Sequence, residues 1–334
     1  MKEILCSIAT RGRYDTTLPL ALASIINQTK LPDHIIIFDD NDEDKRIDLR
    51  EKEVYRNLLL MIELKGITWQ VIFGERKGPQ YNHQIANTFG YKWVLRVDDD
   101  TILEPNVLQT LYNKATTEEN VGAVGGCIIT PWWNFSVEER NKSSNKIEDI
   151  YSTPNKQWFP IIDTEEVDHL HCSFLYRAGV CDYNLQLSPK GFREETLFTY
   201  EFIKRGYKNF IIPCKTWHLK ASEGGIRGVN DEEMYIYDEE IFRKNIDCGK
   251  LCVLNNGIGD HLVFESILPE LINKYKKLTL AVCYPDVFED YNIPLISIAD
   301  AEKITNIDRY NIYKFMADRN WKNSLQEAYK TLYL

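Results

Sequence analysis

The feature that most constrains the fold is the alternation that opens the chain. Two short β-rich runs, EILCSIA and HIIIFDD, flank TTLPLALASIINQT, whose apolar spacing suits a helix. The alternation continues through the strand-like ITWQVIF, the helical PQYNHQIANTFG and the strand-like KWVLRV. Successive parallel strands need crossover helices, so the pattern predicts an α/β fold built on a mostly parallel sheet. Ligands of such sheets bind beyond the carboxyl ends of the strands. Asp39 and Asp40 end the second strand and Asp98, Asp99 and Asp100 end the fourth, so both acidic sets are expected at one rim.

A chain of 334 residues has room for two domains, and its 44% hydrophobic content supports a packed core. A formal charge of -10 argues against holding nucleic acid through its phosphates. The eight cysteines are scattered, with no CxxC pair and no His/Cys grouping at zinc spacing, which fits reduced thiols in a cytosol. The apolar run near the N-terminus is too short for a signal peptide, and no other run reaches membrane-spanning length. The expectation is a cytoplasmic protein whose association with a membrane, if any, is peripheral.

From Trp132 to about Asp163 the chain reads as loop. HLHCSFLYR then reads as a strand that puts His169 and His171 on one face, as walls of a pocket. PKGFREETLFTYEFIKRGY is a loop feeding a helix, NFIIPC a further strand, and NDEEMYIYDEEIFRKNIDCGK a helical connector. The strand KLCVLN, the turn NGIGD and the helix HLVFESILPELINKYKK begin a second α/β unit. The division expected is 1–228, a connector over 229–249, and a partial Rossmann-like unit over 250–334.

Three aspartates after a strand suit a hard divalent cation, which takes oxygen ligands and shares them with phosphates. Repulsion among adjacent carboxylates calls for positive charge, and a bound cation would supply it. The alternative is that Asp100 and Thr101 cap a helix around EPNVLQTLYNK while the other two aspartates are solvated.

Taken in order, SIATRGR, ASIINQTKLPDHIIIFDD, RVDDDTILEP and GFREETLFTYEFIKRGYKNFIIPCKTWH resemble family 2 glycosyltransferases of the GT-A fold, over residues 3 to 225. The resemblance implies a nucleotide-diphospho-sugar transferase fold. Asp98 and Asp100 match the two aspartates of the DXD motif, with Asp100 the direct ligand of Mn²⁺ or Mg²⁺ and Asp98 facing the donor ribose or standing behind the metal's direct ligands. Asp99, between them, joins the donor site. Asp39 and Asp40 match an acidic pair that accepts hydrogen bonds from the base or ribose, and Thr10 and Arg11 match the nucleotide-facing turn. The alternative for Asp39 and Asp40 is a solvated turn within DDNDEDKR.

REET resembles the acidic pair near the acceptor, with Glu195 at the position of the general base. An aspartate is usual there, and the extra methylene of glutamate changes the reach by about an ångström. Glu194 is the rival base, and the same run is otherwise a helix N-terminus enriched in acids. His218, in KTWHLK, stands where many members place a histidine metal ligand, although a lone histidine after a strand is more often structural. Trp132, Trp133 and Trp158 offer flat apolar faces to a sugar ring or pack under their own loop.

The activity implied is metal-dependent, inverting transfer from a nucleotide-sugar, UDP-sugar first, to an acceptor hydroxyl of a glycan. The alternative is a catalytically weak GT-A module that binds nucleotide or glycan within an assembly. SIATRGRYDTT lacks the glycine pattern of a sugar-1-phosphate nucleotidyltransferase, and the acidic balance disfavours a nucleic acid acceptor. VLNNGIGDHLVFESILPEL resembles the start of heptosyltransferase-like enzymes of the GT-B fold, with Asp260 at the position that takes part in chemistry there. Only about half of one such domain follows, which implies a docking or acceptor-recognition appendage with surface for a second copy or a protein partner.

Overall fold

The computed structural model describes residues 2–130, 136–225, 232–246, 250–275, 278–303 and 312–334. Two compact units divide the chain, Met1–Ile246 and Asp247–Leu334. The first opens with β1 (Ile4–Thr10), α1 (Leu18–Ile26), β2 (His34–Asp39), α2 (Glu53–Leu64), β3 (Thr68–Phe73), α3 (Pro79–Asn87) and β4 (Trp93–Asp98). It continues with β5 (Thr101–Leu103), α4 (Val107–Ala115), β6 (Val121–Ile129), α5 (Val137–Lys142), β7 (Glu165–Val167), β8 (Phe174–Arg177), α6 (Glu194–Lys204), β9 (Lys208–His218) and α7 (Glu232–Ile246).

The sheet runs β3-β2-β1-β4-β8-β6-β9-β5, with β7 also on β9. Its first four strands are parallel, as the alternation predicts. β1, β2 and β4 are almost wholly buried, which is why they read as near-continuous apolar runs. Beyond β4 the sheet is mixed, because β8 runs antiparallel to both β4 and β6 while β6 and β9 are parallel. One apolar cluster, with Ile8, Leu22, Ile37 and Leu95, fills one side of the sheet, and a second, with Phe38, Val94, Tyr176 and Phe198, fills the other.

Several local expectations change. NFIIPC and KTWH form one strand, β9, whose register against β6 slips between Gly126 and Cys127 beside Pro213. Proline has no amide to give the ladder, so the break falls there. The strand expected over HLHCSFLYR begins only at Phe174. Cys172, at φ 55°, sits in the left-handed region and ends any extended run before it, so His169 and His171 lie in an irregular approach to β8. Asp100 does not cap a helix: α4 starts at Val107, while Thr101 opens β5, which pairs antiparallel with β9 so that Thr101 faces His218.

The segment expected as a connector is described as α7, and residues 229–231 and 247–249 lie outside the described residues. Its Phe242 and Ile246 are buried with Leu187 and Leu197 of the first unit. The second unit has β10 (Lys250–Leu254), α8 (Ile258–Glu265), α9 (Leu268–Lys274), β11 (Leu278–Val282), β12 (Leu295–Ile296), α10 (Ile298–Lys303), α11 (Ile312–Asp318) and α12 (Leu325–Tyr333). Its three parallel strands run β10-β11-β12 over a core that includes Leu254, Phe264, Leu280 and Tyr329. No described helix is long and apolar enough to cross a membrane.

Candidate active site

A cavity of about 510 Å³ opens at the carboxyl ends of β1, β2 and β4. Thr10, Arg11 and Arg13 reach it from the end of β1 and the turn that follows, Asp40 from just after β2, and Asp98, Asp99 and Asp100 from the end of β4 and its turn. Glu194 and Glu195 enter from the first turn of α6 and His218 from the last residue of β9. The turn bearing Arg11 and Arg13 is covered by a second turn at Glu223–Gly225, whose Gly225 amide donates to the Arg11 carbonyl at 2.8 Å. Gly224 has φ +72°, and a Cβ there would stand 2.5 Å from the Arg11 oxygen, so only glycine fits the approach.

Two buried arginines organise the charge. Arg13 Nη1 pairs with Asp99 and stands 3.3 Å from Asp100 Oδ2, while its Nε donates to the Glu223 carbonyl at 3.1 Å. Arg96 Nη2 lies 2.5 Å from Glu194 Oε1, 3.3 Å from Glu195 Oε1 and 3.2 Å from Asp98 Oδ1. Much of the positive charge that the acidic trio requires is thus guanidinium. Burial pushes the Asp99 carboxyl up to about 6 even though Arg13 opposes the shift. Burial also pushes the Glu194 carboxyl up, against the pull of Arg96. The neighbouring His83 and His171 are driven down by burial and are neutral at pH 7.

Glu194 and Glu195 differ in what they face. The Glu194 side chain is 2% exposed, against 19% for Glu195. Both line the cavity, but Glu194 is the closest partner of Arg96 and almost wholly covered, whereas Glu195 is the more open of the two while keeping its contact with the same guanidinium. Arg193, which precedes them, has φ 63°, a left-handed residue that turns the chain into α6. The loop before it is tied to α7. Asp238, fully buried, accepts from the Ser188 amide at 2.6 Å, the Ser188 hydroxyl at 2.9 Å and the Phe192 amide at 2.8 Å. Glu239 on the next position pairs with Arg193 at 3.0 Å.

Asp98, His218 and Cys172 bring one ligand atom each to within 4.8 Å of one another. His218 Nδ1 accepts the Lys220 amide at 3.1 Å, and its Nε2 stands 3.6 Å from Asp100 Oδ1. Asp100 Oδ2 also accepts the Ala221 amide at 3.1 Å. A carboxylate, an imidazole and a sulfur converging on one point, with a second carboxylate behind, form a donor set that fits a divalent cation.

Of the residues expected from sequence, Thr10, Arg11, Asp40, Asp98, Asp99, Asp100, Glu194, Glu195 and His218 meet on this one cavity, and His171 and Trp158 line it too. Asp39 does not: it is buried, accepts from the Tyr14 hydroxyl and from Asn41, and fixes the turn after β2. Asp40 is the cavity residue of that pair, with Oδ1 accepting the Arg76 amide at 2.8 Å. Trp132 and Trp133 lie outside the described residues. Arg13, Arg96 and Cys172 were not anticipated. Arg96 had a signal, a charged residue inside the apolar strand WVLRV, since arginine is rarely buried without partners.

The Glycosyl transferase family 2 model matches residues 8–182, just over half of the chain and short of Glu194, Glu195 and His218. No curated protein matches the sequence. Among solved structures, GalNAc-T7 with UDP, GalNAc and Mn²⁺ is similar at a TM-score of 0.50 and 14% identity, over 94% of this chain and 57% of that one. S. aureus TarS (1-349), in complex with UDP-GlcNAc, has a TM-score of 0.47 and 15% identity, over 70% of this chain and 64% of that one. The chain thus spans less than two thirds of the length of either. At such identity the GalNAc-T7 likeness establishes fold alone, the mixed α/β GT-A architecture expected from the motif order.

Proposed function

The chain belongs to glycosyl transferase family 2, and we propose that it is a metal-dependent, inverting enzyme that moves a sugar from a nucleotide-diphosphate sugar to an acceptor hydroxyl of a glycan. One observation carries the reading: Asp98, His218 and Glu195 face a single cavity, with Arg96 Nη2 within 3.3 Å of both the Asp98 and the Glu195 carboxylates. Charge supports it. Among the described residues six carboxylates and five cationic side chains line the cavity, so a diphosphate would meet no surplus of protein positive charge. A divalent cation on Asp98 and His218, with Asp100 behind them, would neutralise the leaving diphosphate as a Lewis acid. Mn²⁺ and uridine are the first choices because the GalNAc-T7 structure contains Mn²⁺ and UDP.

The chain's own residues divide the remaining work. Asp40, with Thr10 and Arg11, faces the base and ribose. Trp158, whose ring stands 5.8 Å from that of His218, offers a flat face to the sugar. Glu195 takes the proton of the acceptor hydroxyl as that oxygen bonds to the anomeric carbon and the bond to the diphosphate oxygen breaks, which inverts the configuration. Arg96 holds the Glu195 carboxylate and Asp98 in one frame, and Glu194 serves Arg96 as its buried counter-charge. His218, whose Nδ1 accepts the Lys220 amide, would hold the cation together with Asp98. Residues 250–334 enter the proposal as a docking or acceptor-recognition appendage, and the location proposed is cytoplasmic.

The test is turnover of UDP-, GDP-, dTDP- and CMP-sugars with and without Mn²⁺ over a panel of glycan acceptors, with the anomeric configuration of the product read by NMR. The expected outcome is transfer from one nucleotide class, only with the metal, with inversion. Retention of configuration would contradict the mechanism, and tight donor binding with no turnover on any acceptor would favour a non-catalytic binding module.

A further inference from the structure

We propose that Cys172 is a sulfur ligand of the cavity's divalent cation, and that the site takes thiophilic ions such as Co²⁺, Zn²⁺ or Cd²⁺ ahead of Mg²⁺. The inference rests on the cavity being the metal site of the proposed transferase. The Cys172 ligand atom lies within 4.8 Å of those of both Asp98 and His218. Its surroundings separate it from the other described cysteines. Cys6, Cys127, Cys181, Cys214 and Cys252 are packed into apolar clusters, where a thiol behaves as a small hydrophobe, and Cys283 is exposed. Cys172 belongs to none of those clusters and lines the cavity.

The backbone fixes where the sulfur stands. Cys172 sits at φ 55°, a conformation that side chains with a Cβ avoid and that persists at functional sites where the surrounding structure enforces it. Soft sulfur discriminates among metals: thiolate favours zinc-like and softer ions, whereas Mg²⁺ demands oxygen. On loading, the thiol proton leaves to solvent as the sulfur–metal bond forms, releasing one proton for each ion bound.

The experiment titrates the metal-free full chain with Co²⁺ in the absence of donor and follows its absorption. The expected result is visible ligand-field bands together with a near-ultraviolet sulfur-to-cobalt charge-transfer band, saturating at one ion. Cys172→Ser should lose the near-ultraviolet band and Cys283→Ser should keep it. Visible bands that depend on Asp98 and His218 but lack the charge-transfer band would overturn the sulfur ligand and leave the transferase reading standing. Absence of any cobalt signal, even with UDP added, would instead overturn the metal site and this inference with it. Should Cys172→Ser fold poorly, the wild-type chain still decides. Cd²⁺ should slow alkylation of Cys172 by iodoacetamide, read by peptide mass, and labelling unchanged by Cd²⁺ would refute the proposal.

Discussion

The two α/β units each set an acidic residue beyond the carboxyl end of a parallel strand, at the end of buried β4 in the first and in the helix turn after edge strand β10 in the second, and put it to different ends. In the first, Asp98 to Asp100 follow β4, and their charge is aimed at a cavity that Arg13 and Arg96 frame from behind. In the second, Asp260 lies in the first turn of α8 and accepts the Tyr313 hydroxyl at 2.6 Å. The adjacent His261 is fully buried, with Nε2 accepting the Cys283 amide at 3.3 Å and Nδ1 bonded to the Gly257 carbonyl at 3.0 Å. Asp260 and His261 of the second unit are thus taken up by partners within that unit, while the acids of the first converge on a volume. An acid at a strand end marks a candidate position; a facing cavity and convergent partners make the site.

The largest effect that would sharpen this contrast is expected at Glu195. Glu195→Gln should lower transfer by about 10²- to 10⁴-fold, the usual worth of a positioned base, with donor affinity retained. Glu194→Gln should act on stability instead, because it removes the closest counter-charge of a buried guanidinium, a change that costs about 3–5 kcal/mol. Urea unfolding beside turnover assays separates the two, and the reverse pattern would exchange their roles. Next comes Asp238→Ala on α7, which leaves the Ser188 and Phe192 amides without their acceptor. A loss of about 1–3 kcal/mol of stability is expected, with a fall in kcat larger than any change in donor KM, since the loop leads into the proposed base, Glu195. Smallest is Asp260→Asn, for which transfer by the full chain should be unchanged within error. A large loss there would break the comparison and make the second unit part of the chemistry.

Sequence carried the strand ends well, because a parallel strand buried on both faces leaves a continuous apolar run whose last residues must meet the rim. Asp40, Asp98 and Asp100 were legible for that reason. Asp39 was not distinguishable from Asp40, since neighbours on a strand end point opposite ways and only the partners decide which faces inward; here Tyr14 and Asn41 claim Asp39. The long helix α2 passed without notice although Tyr55, Leu58, Leu59 and Ile62 repeat at helical spacing and are buried. The packing of α7 against the loop before α6 depends on Asp238 finding backbone amides 46 and 50 residues earlier, a contact that no local pattern encodes. Cys172 was hidden because a left-handed turn inside an apolar, strand-like run leaves no mark in composition.

Asp98 is proposed to couple a divalent cation to the nucleoside diphosphate in one cavity, and titration calorimetry of that diphosphate, with and without Mn²⁺, on the wild-type chain and on Asp98→Asn puts this coupling to the test. The account predicts that Mn²⁺ strengthens binding by at least about tenfold in the wild type, about 1.4 kcal/mol, and by nothing measurable in the folded variant. Equal affinity with and without the metal in the wild type, or metal-dependent binding that survives Asp98→Asn, would contradict it.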